Sequence, residues 1–412
     1  GVGGVDELEP TVADDRMAVQ PGEKSLLIIE DDLKFARILL DLAREKGFHG
    51  IVATRGADAL ALAERLTPSA ITLDIHLPDM DGWVILDSLK HNEATRHIPV
   101  HIISVEEERE RGLKLGALAY LSKPTTQEAL NQALAKMTSY IERPTKSLLV
   151  IEDNETQRDS IVALIGNGDV ETTAVGSGAA AIAALQSKSY DCVVLDLGLP
   201  DMSGFELIDK IKGELSMPDI PIIIYTGREL TKKEETRLRR VSEAIIIKDV
   251  KSPERLLDET SLFLHRVSSR LSESKRQMIH DLHQTDPELS GKKILIVDDD
   301  MRNIFALTTA LERHQMAPLH AEGGQECLDL LQKTRGIDII LMDIMMPGMD
   351  GYEAIRRIRE MERFRAIPII CLTAKAMKGD REKCIEAGAS DYIPKPVDID
   401  QLLSLLRVWL YK

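Results

Sequence analysis

Short, uninterrupted runs of apolar residues alternate along the chain with longer stretches in which apolar residues recur at helical spacing. Toward the C-terminus the runs lie at residues 292–297, 316–320, 337–342, 367–372 and 391–393. Between the first two of these runs, Ile304, Leu307 and Leu311 share one face of a helix expected over residues 301–315. Runs without polar alternation are typical of strands buried on both faces of a parallel sheet. Five such strands with intervening helices, in about 120 residues, predict a doubly wound α/β domain.

The same pattern occurs three times in the chain. The first run of each repeat ends in carboxylates, in the strings SLLIIEDD, SLLVIEDN and KILIVDDD. A later run ends in one aspartate and leads into proline, methionine, glycine and an aromatic residue, in the strings LDIHLPDMDGW, LDLGLPDMSGF and MDIMMPGMDGY. These aspartates are Asp74, Asp196 and Asp343. The repeat predicts three domains with five-stranded parallel sheets: unit one (24–142), unit two (146–266) and unit three (292–412).

Two segments lie outside the three units. Residues 1–23 are acidic and rich in glycine and proline, so we expect a disordered tail. Residues 267–291 are expected to form a helical linker, entered by a helix that continues over residues 253–284. A seven-residue spacing relates four apolar residues there, Leu257, Leu264, Leu271 and Met278. It leaves two interpretations open: a seam that dimerises the chain, or a helical spacer docked against its own units.

Composition narrows the class of function. No apolar run approaches the roughly 18 residues that a membrane helix needs, so we expect no direct membrane contact. The formal net charge of −16 argues against direct binding of nucleic acid, because phosphate backbones are bound by clustered Lys and Arg. No C-x-x-C spacing relates the four cysteines, Cys192, Cys327, Cys371 and Cys384. We interpret them as buried free thiols of a cytoplasmic protein, with a zinc or disulfide site as the alternative.

Unit three carries acidic, hydroxyl and ammonium groups at successive strand ends. They are Asp298 and Asp299 after the first strand, Asp343 on the third, Thr373 on the fourth and Lys395 on the fifth. Since the carboxyl ends of parallel strands meet at one edge of a sheet, we expect these groups to cluster. Crowded carboxylates repel one another, and a hard divalent cation such as Mg²⁺ relieves that repulsion. The hydroxyl and the ammonium would supply a donor and a counter-charge for a phosphoryl group.

With these motifs the chain resembles, three times over, the receiver domains of two-component signalling, of the chemotaxis-regulator type with a flavodoxin-like (βα)5 fold. The resemblance implies that Asp343 accepts a phosphoryl group from a phosphohistidine. It also implies that four groups hold Mg²⁺: Asp298, Asp299, Asp343 and the backbone carbonyl of Met345. It further implies that Thr373 bonds a phosphoryl oxygen and that Lys395 pairs with the phosphoryl charge.

The resemblance transfers the same roles to the other two units. The spacing from acceptor to hydroxyl is 30 residues in all three units. In unit one the implied site comprises the acidic pair Glu30 and Asp31, the acceptor Asp74, the backbone of His76, the hydroxyl of Ser104 and Lys123. In unit two it comprises the acidic pair Glu152 and Asp153, the acceptor Asp196, the backbone of Gly198, the hydroxyl of Thr226 and Lys248.

Units one and two depart from the family pattern. In unit two Asp249 follows Lys248, where the family has proline, and Ile245 occupies the position of the aromatic residues Tyr120 and Tyr392. The resemblance implies that this aromatic residue turns inward when the hydroxyl residue moves toward the phosphoryl group. In unit one the spacing from hydroxyl to lysine is 19 residues, against 22 in the other units, so about one turn of the fourth helix is missing. We therefore predict unit three as the main acceptor, with units one and two modulating it or serving as docking surfaces.

The architecture resembles the C-terminal receiver tail of a bacterial hybrid sensor histidine kinase. Its partners would be a histidine kinase domain of the same parent chain, a histidine phosphotransfer protein, or both. The receivers would be cytoplasmic even if the parent were anchored in a membrane. The alternative is a free-standing adaptor that sinks or integrates phosphoryl groups by protein–protein contact. His280, in the string MIHDLH, slightly resembles a kinase histidine box but lacks the following Arg-x-Pro, so we interpret it as a linker residue.

Overall fold

The computed structural model describes residues 12–20, 23–166, 168–249, 252–283, 286, 288–374 and 380–410. The chain divides into a first body, residues 1–280, and a second body, residues 281–412. The first body contains units one and two, and the second contains unit three. Over the described ranges, every helix is too short or too polar to span a lipid bilayer.

Unit one is a parallel sheet with helices on both faces. Its strands are β1 (Ser25–Ile29), β2 (His49–Ala53), β3 (Ala70–Leu73), β4 (Val100–Ser104) and β5 (Ala119–Ser122). Its helices are α1 (Leu33–Glu45), α2 (Gly56–Leu66), α3 (Gly82–His91), α4 (Arg109–Lys114) and α5 (Gln127–Glu142). The strand order is β2-β1-β3-β4-β5. Every residue of β1, β3 and β4 is buried, because helices cover both faces of the sheet.

Unit two repeats this architecture within the same body. Its strands are β6 (Lys146–Ile151), β7 (Val170–Val175), β8 (Cys192–Leu195), β9 (Ile222–Thr226) and β10 (Ala244–Ile247). Its helices are α6 (Glu155–Ile165), α7 (Gly178–Ser187), α8 (Gly204–Asp209), α9 (Lys232–Val241) and α10 (Ser252–Phe263). The strand order is β7-β6-β8-β9-β10, which is the order of unit one.

The segment after unit two does not continue as one helix, so the helix predicted over residues 253–284 is wrong. The chain turns after Phe263, where His265 has a φ of 49°, and α11 (Glu273–His283) begins ten residues later. Leu264 is buried in the core of unit two, whereas Leu257, Leu271 and Ile279 form a separate small cluster, with Met278 packed against it. The seven-residue spacing therefore joins three elements that pack together, which favours the docked spacer over a continuous dimer seam.

Unit three has the same topology in the second body. Its strands are β11 (Lys293–Val297), β12 (Ala317–Ala321), β13 (Ile339–Asp343), β14 (Ile369–Thr373) and β15 (Asp391–Pro394). Its helices are α12 (Met301–Arg313), α13 (Gly324–Lys333), α14 (Gly351–Glu360), α15 (Asp380–Ala387) and α16 (Ile399–Leu410). The strand order is β12-β11-β13-β14-β15. The predicted flavodoxin-like fold is thus confirmed for all three units, and each strand predicted in unit three begins and ends within about two residues of its observed bounds.

Residues 12–20, which we expected to be disordered, are ordered along the edge strand β2. Val12 and Val19 are buried, and the Asp14 carboxylate accepts the backbone N–H of Val52 at 2.8 Å. The Arg16 guanidinium donates to the Val52 carbonyl at 2.6 Å. These contacts satisfy backbone groups that an open sheet edge would expose. The rest of the predicted tail, residues 1–11 and 21–22, lies outside the described residues.

Units one and two pack directly against each other. Arg96 of unit one forms an ion pair with Asp258 of α10 at 2.7 Å, and the two side chains are only 7% and 17% exposed. The Tyr140 hydroxyl donates to the carbonyl oxygen of Leu264 at 3.0 Å in a buried position. The connection between the units is only residues 143–145, because α5 ends at Glu142 and β6 begins at Lys146. The first body is therefore a packed pair of units.

All four cysteines are buried, as predicted, and these four residues form no disulfide bond. Cys192 and Cys371 lie in strands β8 and β14, and Cys384 lies in α15. Burial raises the pKa of the Cys327 thiol to about 12. Where the structure describes groups of side chains able to hold a metal ion, those groups consist of carboxylates and include no cysteine.

Candidate functional site

The first strand of each unit delivers two acidic residues to the same edge of the sheet. The first acid of each pair is buried: Glu30, Glu152 and Asp298. The second is exposed: Asp31, Asp153 and Asp299. The polar residue that follows each pair caps the next helix by accepting backbone N–H groups, and these caps are Asp32, Asn154 and Asp300. The cap fixes where the helix starts and leaves the acidic pair facing the third strand.

The third strand of each unit brings an aspartate beside that pair. The first and third strands are direct neighbours in all three sheets. In each unit, carboxylate oxygens of the acidic pair and of the acceptor aspartate lie within 4.8 Å of one another. These groups are Glu30, Asp31 and Asp74; Glu152, Asp153 and Asp196; and Asp298, Asp299 and Asp343. Three close carboxylates are a donor set that suits a hard divalent cation.

The lysine after each fifth strand bridges the buried acid and the acceptor aspartate. In unit three, Lys395 Nζ lies 2.7 Å from Asp298 and 2.8 Å from Asp343. Lys123 lies 2.7 Å from Glu30 and 2.6 Å from Asp74. Lys248 lies 2.8 Å from Glu152 and 2.6 Å from Asp196. The structure therefore brings the predicted acids and lysines of every unit together at one rim.

Burial and the bridging lysine act in opposite directions on the acidic residues. Burial raises the pKa of Glu30 to about 7, although Lys123 opposes it. Burial likewise raises the pKa of Asp343 against the effect of Lys395. For Asp196, burial also acts to raise the pKa, but hydrogen bonds from Lys248, the Gly198 N–H and Thr226 outweigh it, so the pKa is lowered.

The loop after each acceptor is folded back onto the acceptor carboxylate. The backbone N–H two residues later donates to Oδ1 of the acceptor at 3.2 Å in all three units, and these donors are His76, Gly198 and Met345. The His76 imidazole itself lies 3.4 Å from Glu106, and it is not part of the carboxylate cluster. The methionines of the loops, Met80, Met202 and Met349, pack against the glycines that start α2, α7 and α13. They are packing residues.

The three hydroxyl groups are buried at the ends of the fourth strands but differ in their partners. The Thr226 hydroxyl accepts the Arg228 N–H at 3.3 Å. The Ser104 hydroxyl accepts the Glu106 N–H at 3.5 Å. The Thr373 hydroxyl has no hydrogen-bond partner within the described ranges. Among the described residues, the Thr373 hydroxyl of unit three is therefore the one of these three hydroxyls without a hydrogen bond.

One contact of the site was missed by sequence reasoning. The fifth residue after the first acid of each pair lies in the first helix and reaches the cluster. Lys123 lies over the Phe35 ring, 4.5 Å from its centroid, and Gln157 Oε1 accepts from Lys248 Nζ at 2.7 Å. Asn303 Nδ2 donates to both oxygens of Asp298 at 3.2 Å. The signal in the sequence was the shared position within the repeat.

The departures of units one and two have structural counterparts. The Lys248–Asp249 bond is not among the cis bonds, which join Lys123 to Pro124 and Lys395 to Pro396. Ile245 packs at the margin of the unit-two core. The missing turn in unit one is visible in α4, which has six residues, whereas α9 has ten.

Comparison with known proteins finds receivers both alone and within kinases. Protein PilH from Pseudomonas aeruginosa is 38% identical over 118 residues, which are 29% of this chain and 97% of PilH. The histidine-protein kinase BarA from Shigella flexneri is 28% identical over 224 residues, 54% of this chain and 23% of BarA. The sensor protein GacS from Pseudomonas syringae is 35% identical over 128 residues, 30% of this chain and 14% of GacS. The chain therefore spans less than a quarter of the length of these two kinases.

Solved structures give matches of the same kind. The receiver domain of a sensor histidine kinase from Pseudomonas aeruginosa, solved with a magnesium ion in its active-site cleft, is 36% identical. It covers 30% of this chain and 100% of its own length, with a TM-score of 0.28. A receiver domain of Ssk1 from Saccharomyces cerevisiae, crystallised with the histidine phosphotransfer protein Ypd1, is 28% identical, covers 29% of this chain and 90% of its own, with a TM-score of 0.28.

The family of response regulator receiver domains matches the chain over residues 26–135, 148–260 and 294–407. One match lies in each of the three units, and together they account for most of the chain. Each matched segment contains one of the clusters of carboxylates described above. The chain therefore belongs to the response regulator receiver domains of two-component phosphorelay signalling and carries three of them in tandem.

Proposed function

We propose that Asp74, Asp196 and Asp343 each accept a phosphoryl group from a phosphohistidine, in a reaction that requires Mg²⁺. The observation that carries the proposal is the cluster of unit three. There, Lys395 lies within 2.8 Å of both Asp298 and Asp343, and the buried Thr373 hydroxyl at the same rim has no described partner. These groups can bind the oxygens of a transferred phosphoryl group as soon as it arrives.

In the proposed reaction a carboxylate oxygen of Asp343 attacks the phosphorus of the phosphohistidine. A P–O bond forms while the P–N bond breaks, and the imidazole leaves with the electrons of that bond and takes up a proton. Lys395 pairs with the phosphoryl charge, and Thr373 donates its hydroxyl hydrogen to a phosphoryl oxygen. The protein contributes positioning and electrostatic stabilisation rather than a covalent step of its own beyond the acceptor.

The donor set of each cluster fits a magnesium ion. In unit three, Asp298, Asp299, Asp343 and the backbone carbonyl of Met345 would hold it. The corresponding groups are Glu30, Asp31, Asp74 and the backbone of His76 in unit one, and Glu152, Asp153, Asp196 and the backbone of Gly198 in unit two. When bound, the cation would neutralise charge on the phosphoryl oxygens. The magnesium ion in the related receiver structure supports this assignment.

We infer that unit three is the main acceptor and that units one and two modulate it. Two observations support this ranking. Thr373 has no existing hydrogen bond to give up among the described residues, whereas the Thr226 hydroxyl already accepts the Arg228 N–H. Unit two lacks the Lys-Pro bond and the aromatic residue of unit three.

For the biological context we propose the receiver portion of a hybrid sensor histidine kinase. The matches to the histidine-protein kinase BarA and to the sensor protein GacS support this. The phosphoryl donor would then be a histidine kinase domain of the same parent, and a histidine phosphotransfer protein would be a second partner. The buried cysteines, which form no disulfide bond, are compatible with the cytoplasm. A free-standing adaptor is the second candidate, favoured by PilH, of which 97% corresponds to one receiver.

Incubation of the chain with phosphoramidate tests the proposed function, because phosphoramidate carries the P–N bond of a phosphohistidine. We expect phosphate-affinity gels to resolve modified chains in Mg²⁺ and none in excess chelator. Asp74→Asn, Asp196→Asn and Asp343→Asn should each remove one site, with the largest loss for Asp343→Asn. Asp350→Asn is the matched control, because Asp350 is exposed in the same loop and caps α14.

Two results would contradict the proposal at different levels. Unchanged labelling of Asp343→Asn would remove unit three from the list of acceptors. Labelling that persists in chelator, or in the triple Asp→Asn variant, would show that the carboxylate clusters are not the phosphoacceptor sites.

A further inference from the structure

Helix α4 of unit one is connected to the acceptor site through Glu106, in the loop that follows Ser104. The backbone N–H of Glu106 donates to the Ser104 hydroxyl at 3.5 Å, and its carbonyl accepts the Tyr120 hydroxyl at 2.6 Å. Its carboxylate accepts the indole N–H of Trp83 at 3.2 Å. A movement of Ser104 toward a phosphoryl group on Asp74 would therefore displace Glu106 and the start of α4.

The helix packs too closely on unit one to move independently of this loop. A Cβ atom at Gly112 would lie 2.7 Å from Ile102 and 3.2 Å from the Tyr120 ring. The guanidinium of the preceding Arg111 lies over the Trp83 ring, 4.5 Å from its centroid. Close-packed elements of this kind shift together rather than deform continuously.

The same helix is held by unit two at three points, which we call the α4 clamp. Arg109 at its start forms an ion pair with Asp219. Lys114 at its end donates to the carbonyl oxygen of Arg239. Just beyond it, a Cβ atom at Gly116 would lie 3.1 Å from Leu262. The three partners lie before β9, on α9 and on α10, so the clamp involves three separate elements of unit two.

Further contacts hold unit two against unit one beside the clamp. The Arg96–Asp258 pair and the Tyr140–Leu264 hydrogen bond hold the units together beside the clamp. The Tyr140 and His265 rings also meet edge to face, with centroids 5.6 Å apart. With a connection of only residues 143–145, a displacement of α4 has to change contacts within this interface.

We propose that unit two senses the phosphorylation state of unit one through the α4 clamp. The clamp stabilises the unphosphorylated arrangement of unit one, and phosphorylation of Asp74 weakens it. This inference rests on the proposed function of Asp74 as an acceptor. Because coupling between two sites is reciprocal, loosening the clamp has to raise the affinity of unit one for a phosphoryl group. The shortness of α4, which lacks one helical turn, fits this proposal. The short helix ends where Gly116 contacts Leu262 of unit two.

A fluorescence titration of the full chain tests the coupling. The reference chain carries Asp196→Asn and Asp343→Asn, so that beryllium trifluoride, a phosphoryl mimic used with Mg²⁺, has only Asp74 to bind. It also carries Trp409→Phe, which leaves Trp83 as the single tryptophan. Since the Trp83 indole is bonded to Glu106, its emission reports on the loop between Ser104 and α4.

Asp219→Ala and Lys114→Met each remove one contact of the α4 clamp. We expect each to raise the apparent affinity for beryllium trifluoride by about 2- to 5-fold, because exposed polar contacts of this kind are individually weak. Asp209→Ala is the matched control, because it removes an exposed carboxylate of unit two that pairs with Arg237 outside the clamp. We expect its affinity to equal that of the reference chain.

The possible outcomes separate the two claims. An affinity that is unchanged or lowered in both clamp variants would overturn the coupling and leave Asp74 as an acceptor. A reference chain that binds no beryllium trifluoride would overturn the proposed function of unit one, and the coupling with it.

Discussion

The hydroxyl of Thr373 is buried without a hydrogen-bond partner among the described residues, which is an unfavourable arrangement for the folded protein. An unpaired buried hydroxyl costs about 1–3 kcal/mol relative to one that is paired or exposed. Ser104 and Thr226, at the same position of the other units, both accept a backbone N–H. An unpaired buried hydroxyl that lowers the stability of the unphosphorylated protein is expected where it gains a hydrogen-bond partner during function. For Thr373 that partner would be an oxygen of the phosphoryl group.

Replacement of Thr373 by valine should therefore separate stability from phosphoryl transfer. We expect Thr373→Val to leave the free energy of unfolding unchanged or to raise it by about 1 kcal/mol. We expect phosphorylation of Asp343 to slow by about 10²–10³-fold, because a donor to the phosphoryl oxygens is lost. Urea titration and phosphoramidate labelling measure the two effects. Thr226→Val is the control, and it should lose stability; a loss of stability in Thr373→Val as well would contradict this assignment.

Lys90 is a second buried group with a measurable consequence. Its ammonium donates to the carbonyls of Arg96 and Ile98, yet burial lowers its pKa from 10.5 to about 7. Between pH 7 and pH 10.5, Lys90 is therefore protonated in the unfolded chain and largely deprotonated in the folded chain. The free energy of unfolding should therefore rise with pH across this range, by up to about 1.4 kcal/mol per pH unit.

The contribution of Lys90 is isolated by Lys90→Met. We expect the variant to show a smaller increase in stability between pH 7 and pH 9 than the parent chain. Urea titrations followed by Trp83 emission, in a Trp409→Phe background, measure the first body alone. Lys34→Met is the control, since Lys34 is exposed on α1, and its pH dependence should match that of the parent. Equal slopes for Lys90→Met and Lys34→Met would contradict the expectation.

Single positions of the site were predictable to different degrees. The sequence was sufficient to predict which residues form the acidic pair, the acceptor, the hydroxyl and the lysine of each site. These groups have the same chemistry in every repeat. Phe35, Gln157 and Asn303 could not be predicted, because an aromatic ring, an amide acceptor and an amide donor contact the clusters from one shared position. Only the fold shows that this position of the first helix faces the cluster.

The helix that follows each acceptor loop starts at a glycine that touches the acceptor strand. A Cβ atom at Gly82 would lie 2.5 Å from the Ile75 Cα, and one at Gly204 would lie 2.7 Å from the Leu197 Cα. At Gly351 it would overlap the carbonyl oxygen of Asp343 itself. The close approach of α3, α8 and α14 to their third strands thus depends on the absence of a side chain.

Gly351→Ala should push α14 away from the acceptor. We expect a loss of about 3 kcal/mol in the free energy of unfolding of the second body, since the added carbon meets backbone atoms that cannot rotate away. Gly323→Ala is the control: its Cβ would meet nothing within 4 Å, and we expect a loss of at most about 1 kcal/mol. Trp409 emission in a Trp83→Phe background follows this body. Similar losses in the two variants would refute the steric explanation.

Elements inside the units could be predicted, whereas those between them could not. The continuous apolar runs defined the strands because parallel strands are buried on both faces. The end of α10 had no such signal, since Leu264 continues the apolar spacing although it belongs to the core of unit two. Residues 12–20 carry the acidic composition of a tail, yet Asp14 and Asp15 bind the backbone of β2. Contacts between residues that are distant in the sequence produce no periodic pattern, so the sequence did not predict them.

Across the first body, the stability of each unit depends on the other. Arg96→Met would remove the Arg96–Asp258 ion pair, whose side chains are only 7% and 17% exposed. We expect a loss of about 2–3 kcal/mol in the free energy of unfolding of the first body, because both charges are largely shielded from water. Arg109→Met breaks an ion pair whose side chains are 53% and 45% exposed, and should cost less than about 1 kcal/mol. Urea titration followed by Trp83 emission compares them, and a larger loss for Arg109→Met would rule out the buried pair as the main contact.

Three carboxylates and one ammonium meet in each acceptor cluster. When these carboxylates are ionised, every cluster has two negative charges in excess, and one Mg²⁺ ion balances them. Phosphorylation replaces the single negative charge of the acceptor aspartate by the two charges of a phosphoryl dianion. The magnesium-bound cluster then becomes negative again. The chain has a formal net charge of −16 and should bind to an anion-exchange column. Its retention time should shorten when magnesium binds and lengthen by one step with each phosphorylated receiver. Chromatography would then count the phosphorylated receivers without a radioactive label.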